Sequence, residues 1–225
     1  MFPTSLGEVV VDKNVPFDVC RSKLENTHFK SWDNIKNNVV LHWVDVVQPR
    51  KGGRGLALMT DHTTSYRHGK GEPLGLTVQY SGNGLWGRDY PLRGATSMHC
   101  AIVPHQGEWD EAGIEQMRAN RNEPLQYSLH ANAALEHKSL LNVGNSTYEV
   151  VAMYPTQQGI VVRLYNASGN DKPQNIIMGQ EFASVAEIDL NDNLIKEHKL
   201  KVGKGKTQFS ISIPRFGFKT LLIKE

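Results

Sequence analysis

The chain has 225 residues, enough to bury a sizeable core, and reads as one large domain or two smaller ones. Its 25 basic and 23 acidic side chains leave a formal net charge of +2, with the signs interspersed. That balance argues against a nucleic-acid or anionic-membrane partner, and no apolar run approaches the length of a membrane span.

Leu6, Val9, Val11 and Val15, broken by Gly7, Asn14 and Pro16, predict short strands or an extended arm over residues 1–19. Residues 21–38 are polar and read as a loop pinned by Trp32 and Ile35. The run from Val39 to Val47 is rich in β-branched residues and predicts one strand. Gln48 to Arg54 reads as a hairpin connection, Gly55 to Thr60 as the next strand, and Leu74 to Tyr80 as another. Between the last two, Asp61 to Ser65 is a turn of side chains that bond their own backbone. Ser81 to Thr96 holds four glycines, a proline, two aromatics and two arginines without periodicity, which predicts a long ordered loop whose Trp86, Arg88, Tyr90 and Arg93 either form a stacking platform for a ligand or plug a sheet.

From Met98 to Val103 both alternating sets are mostly apolar, so a strand covered on both faces is expected, ended by Pro104. His105-Gln-Gly107 then turns the chain, Trp109 plugs the corner, and Asp110 caps a helix with Glu111 in its first turn. Ile114, Met117 and Arg121 fall on one face of that helix, and Pro124 ends it by barring helical geometry to its predecessor. It is the only helix expected. After Ser146 six apolar segments recur at short intervals: Tyr148–Tyr154, Gly159–Tyr165, Ala183–Asp189, Leu194–Val202, Thr207–Ile213 and Lys219–Ile223. Regular short strands separated by turns predict a β-sandwich. The boundary is placed near Leu141 to Ser146, giving units of 1–145 and 146–225.

Few side chains suggest chemistry. His62 and His68, and His99 and His105, are each six apart, which fits no recurring zinc spacing, and His99 reads as a core residue. Asp61, Asp89, Glu108 and Asp110 suit turn and capping roles better than acid–base work. Cys20 and Cys100 read as two buried free thiols of a cytoplasmic protein, and Met1-Phe-Pro-Thr has neither the length nor the charge of a secretory leader. Asn145-Ser-Thr and Asn166-Ala-Ser match the glycosylation sequon.

Ala101-Ile-Val-Pro-His-Gln-Gly-Glu-Trp109, followed by a helix and Asn122-Glu-Pro-Leu125, resembles the C-terminal region of the α-mannosidases of glycoside hydrolase family 38. Trp43-Val-Asp-Val, Gly55-Leu-Ala-Leu-Met-Thr-Asp61 and Tyr66 resemble a strand–turn unit of the same family in the same order. Phe2-Pro-Thr, Leu164-Tyr-Asn166 and Pro214 through Thr220-Leu-Leu extend the likeness over nearly the whole chain. The resemblance implies an all-β fold: part of a large, galactose-mutarotase-like β-sandwich, then a smaller antiparallel β-sandwich, with one short helix. It implies a parent enzyme that is a retaining, metal-dependent, exo-acting α-mannosidase.

The catalytic carboxylate and the zinc ligands of that family lie in an N-terminal domain, which nothing here matches. No catalytic residue, metal ligand or cofactor is therefore expected in this chain. Its implied partners are the catalytic domain of the same polypeptide and an α-mannoside, with self-association where its sheet edges lack their neighbours. The family's active-site loop with an Arg-Gly step matches Arg93-Gly94, supported by Tyr90 and Trp86. Arginine offers a planar fork of donors for hydroxyls or phosphate, and Gly94 admits a ligand close to the backbone. The other reading is a stand-alone carbohydrate-binding or structural β-sandwich module.

Overall fold

The computed structural model describes residues 1–22, 39–69, 73–79, 81–85, 87–124, 127, 129, 139–144 and 148–225. Trp32, Ile35, Trp86 and the Asn145 sequon lie outside them. The described residues are all-β apart from one helix, α1 (Ile114–Asn122), and every strand pairing is antiparallel. By packing, the chain divides into Met1–Ile114 and Glu115–Glu225, so the described residues between Glu115 and Gly144 group with the second unit.

In the first unit, β1 (Val10–Val15), β2 (Asp18–Ser22), β4 (Trp43–Val47), β5 (Arg54–Thr60) and β10 (Cys100–Gln106) form a five-stranded sheet in the order β10-β5-β4-β1-β2. A three-stranded sheet, β3 (Val39–Val40), β6 (Thr64–Arg67) and β7 (Gly75–Leu76), supplies the layer against it. Val11, Val44, Val46 and Leu58 on one face of the larger sheet pack with Val40, Tyr66 and Leu74 in a single apolar cluster. The buried Lys13 shares that face, with Nζ 5.6 Å from the Tyr66 ring centroid, and burial lowers its pKa.

The expected single strand from Val39 to Val47 is two strands in different sheets. Asn14 makes the break: its Oδ1 accepts from the His42 and Trp43 amides at 2.9 and 3.0 Å, so the chain can leave one ladder without orphaning those donors. Pro104 does not end β10 but pairs with Leu56 inside it. β10 is an edge strand, where a missing N–H costs no ladder bond. For the same reason β10 is covered on one face only, and Ile102 is 51% exposed. Cys20 and Cys100 form no disulfide and are exposed rather than buried, each on an edge strand of this sheet.

The helix starts at Ile114, four residues after Asp110, because Gly113 adopts φ +68° and breaks the helical track. Its covered side is Ile114, Arg118 and Ala119, not Met117 and Arg121, which are exposed.

The second unit is a sandwich of two sheets. One joins β11 (Leu141–Asn142), β14 (Gln174–Met178), β17 (Lys201–Gly203) and β18 (Lys206–Ile211) in the order β11-β14-β18-β17. The other joins β12 (Tyr148–Thr156), β13 (Gly159–Asn166), β15 (Ser184–Ile188), β16 (Leu194–Glu197) and β19 (Phe218–Lys224) in the order β12-β13-β19-β15-β16. Val162, Leu164, Leu221 and Ile223 from one sheet meet Ile176, Met178, Phe209 and Ile211 from the other. Tyr148 locks the layers together: its hydroxyl donates to the Ile211 carbonyl at 3.2 Å and accepts from the Ile213 amide at 3.0 Å. The expected strand Leu194–Val202 is split between the two sheets as β16 and β17, and β11 and β14 were not expected.

Asn166 of the second sequon is fully buried. Its amide donates to the Asn170 and Ile213 carbonyls at 2.7 and 2.9 Å, leaving no nitrogen open to a glycan in the folded chain.

Candidate functional site

The first unit's most constrained polar group begins at Asp45, in the middle of the apolar run Trp43-Val-Asp-Val-Val. Strand alternation puts Asp45 on the face opposite the Val44–Val46 core contacts, along with Trp43, Ala57 and Val103. His105 lies on the same face, two strands away. Gly55 stands between them in the ladder, paired with His105 on one side and Val47 on the other. A methyl group at Gly55 would overlap the His105 ring. Its absence lets the imidazole lie across β5, so that Nε2 reaches Asp45 Oδ1 at 2.9 Å. The two side chains are 5% and 0% exposed, so this is a buried ion pair.

Burial pushes the Asp45 carboxyl above its ordinary value, against the pull of His105. Burial alone would lower His105, but the hydrogen bond and charge of Asp45 outweigh it and hold the imidazole above its usual range. Directly across β1 from Asp45 sits a second buried carboxylate, Asp12. Arg21, its neighbour in β2, donates Nε and Nη2 to the two Asp12 oxygens at 2.8 and 2.7 Å and also pairs with Glu108. Those partners raise the guanidinium pKa further. Glu108 leads into the corner that Trp109 closes, its ring 5.6 Å from that of Trp43. The pair ties β10 to β4 at the point where β10 turns toward Trp109.

The predicted loop is organised differently. Its first half is a hairpin of β8 (Gly82–Leu85) and β9 (Arg88–Tyr90), which the absence of periodicity had concealed. The Gly84 amide donates to Asp89 Oδ1 at 2.9 Å and stiffens the turn, and Ser81 Oγ bridges the base by donating to the Tyr90 carbonyl and accepting from the Leu92 amide. Tyr90, Arg93 and Gly94 are brought onto one exposed segment. Gly94 has φ +91° and open space where a side chain would stand. Arg93 has no hydrogen-bond or ion-pair partner among the described residues, so its donors face solvent.

In the second unit, Arg118 of α1 gathers carboxylates. Its Nε donates to Glu115 at 2.9 Å, Nη1 to Glu123 at 3.0 Å and Nη2 to Glu149 of β12 at 3.5 Å. Burial pushes Glu149 up to about 7, opposed by Arg118 and reinforced by Glu115 and Glu123.

His99, expected in the core, is 75% exposed at the side chain and bonded to Asp61, which also holds His62. The two histidines keep Asp61 well below the ordinary carboxylate range. Among the described residues no group of three or more His, Cys, Asp and Glu side chains is placed to hold a metal ion. An open cleft lined by Met1, Arg67, Pro73, Gly75, Leu76 and Thr77 includes none of the predicted site residues. No helix among the described residues is long and apolar enough to cross a membrane.

Sequence reasoning missed Asp12, Arg21, Asp45, Gly55 and Glu149. A charge inside an apolar strand, as at Asp45, is the one signal that would have exposed part of this set. The sequence model of a family described as a protein of unknown function (DUF1131) matches residues 126–213. A search of the curated proteins finds no match to the chain.

Proposed function

We propose that this chain is the C-terminal, non-catalytic β-rich part of a glycoside hydrolase family 38 α-mannosidase, where it braces the catalytic domain and walls its active site. One observation carries this reading. The blocks that resemble the family, Trp43–Val46, Gly55–Asp61 and Ala101–Trp109, are distant in sequence but centre on three adjacent strands, β4, β5 and β10. They are joined by the Asp45–His105 pair and the Trp43–Trp109 contact. Residues that recur together in a family need such a shared packing reason.

In this reading Arg93 and Gly94 meet the sugar, with Tyr90 and Trp86 supporting the loop. The zinc ion would be held by the catalytic domain of the same polypeptide, and an α-mannoside is the substrate of the whole enzyme. Exposed cysteines that are not joined in a disulfide suit a cytoplasmic location. The test is Arg93→Ala in the complete enzyme. Catalytic efficiency on an aryl α-mannoside should fall well beyond twofold; a loss below about twofold, roughly 0.4 kcal/mol, means that Arg93 does not touch the substrate.

The second reading, a stand-alone carbohydrate-binding module, is favoured by the second unit's own closed core. It predicts glycan binding by the protein of the complete reading frame, without hydrolysis.

A further inference from the structure

The outward face of the second unit's four-stranded sheet has a composition that the core does not require. Register places Asn142, Ile177, Gln208 and Lys201 in one row across β11, β14, β18 and β17. With three inter-strand steps the row spans about 14 Å. Asn175 and Ser210 form the adjacent pair on one side, and Lys206 flanks the row on the other. The opposite face holds Ile176, Met178, Phe209 and Ile211, which are buried, so the alternation is clean. The four strands contain no Asp or Glu, and their only aromatic, Phe209, points inward.

Positive charge is also concentrated in the segment that crosses from β16 of the other sheet into β17 and β18, of which Lys201 and Lys206 lie on the four strands. From Lys196 to Lys206 the chain carries five lysines and one glutamate, four net positive charges, whereas the whole chain carries +2. The rest of the protein is therefore net acidic. Lys199, Lys201, Lys204 and Lys206 are exposed, and none has an ion-pair partner among the described residues.

We propose that this face is a docking surface for an acidic glycan, distinct from the loop of Arg93. Amide and hydroxyl side chains on the sheet face donate to and accept from sugar hydroxyls, and the lysine edge pairs with sulfate, phosphate or carboxylate substituents. The four strands carry no acidic side chain; the carboxylate at their edge, Glu181, accepts from the Gly205 amide at 3.0 Å. A single-stranded nucleic acid is disfavoured because the face offers no aromatic or arginine plane on which bases stack. The proposal does not depend on the α-mannosidase reading, since it concerns binding by this chain alone.

The experiment is equilibrium binding of the 225-residue chain to three probes: a heparin oligosaccharide, neutral mannan and a duplex DNA of matched length. Heparin should bind, more weakly as salt rises, and both other probes should bind at least about tenfold less well. Lys201→Glu with Lys206→Glu should lower heparin affinity at least about tenfold, and Gln208→Ala should lower it measurably without changing charge. Lys51→Glu, at an exposed position of the first unit, should leave it nearly unchanged. Circular dichroism checks that each variant is folded. No heparin binding, DNA binding as tight as heparin, or an equal loss from Lys51→Glu and the double variant would each overturn the proposal.

Discussion

Gly55 decides whether the first unit can bury its charges. A side chain there would force the His105 ring off Asp45 and leave a fully buried carboxylate without its counter-charge. Gly55→Ala should therefore destabilise the first unit by about 3 kcal/mol, the usual cost of breaking a buried pair, as read from chemical denaturation. A loss under about 1 kcal/mol would show that the ring relocates freely. The same pair sets a pH dependence. His105 titrates above its ordinary value in the folded chain, so its contribution is complete below about pH 6.5 and is lost as pH rises through the folded value. Asp45, raised by burial, likewise contributes less as pH rises through its own folded value. The melting temperature should fall from slightly acid to alkaline pH, and His105→Gln should flatten that slope above neutrality whatever its own stability. Parallel slopes in the two proteins would contradict the assignment. Little of this was legible beforehand: Asp45 was missed although it is a charge in an apolar run, its partner lies sixty residues on, and the gap at Gly55 exists only across strands.

Elements were read best where alternation was strong and flanks were sharp. The strands β5, β12, β13, β15, β18 and β19 fall close to their expected positions. β14 escaped notice because only Ile176, Ile177 and Met178 are apolar after a polar run, and its burial comes from the partner sheet. The break between β3 and β4 was hidden because the side chain that permits it, Asn14, sits on another strand. Edges carry their own safeguards. In β12, an edge strand, a bulge between Val150 and Ala152 interrupts the ladder and Pro155 carries no N–H, which discourages direct strand pairing with another chain. The contact of α1 with β12 has a pH dependence of its own. Glu149 titrates at about 7 when folded, against about 4.5 in the unfolded chain, so the folded state holds the proton longer. The contribution of Glu149 to stability should decline from about pH 4.5 to about pH 7 and level off above it. Glu149→Gln should remove that decline, which denaturation midpoints at pH 5 and pH 8 would show; an unchanged difference would mean that Glu149 is solvated.

For the whole molecule, the all-β class and the change of rhythm late in the chain were legible from composition and turn spacing. The grouping of the helix α1 with the second unit was not, because it rests on packing that no local pattern encodes. Each unit closes its own apolar cluster, yet large apolar side chains remain exposed, among them Val151, Met153 and Tyr154 of β12 and Leu194 and Ile195 of β16. Such surface favours association through side chains even where edge pairing is blocked. Light scattering should therefore find dimers or larger species, and a clean monomer at high concentration would count against this. The measurement closest to the proposed function is hydrolysis of an aryl α-mannoside, by the 225-residue chain and by the protein of its complete reading frame. The chain alone should give no turnover, and the complete protein should give turnover with retained configuration that a chelator abolishes. Turnover by the chain alone, or a complete protein inactive on α-mannosides, would contradict the proposal.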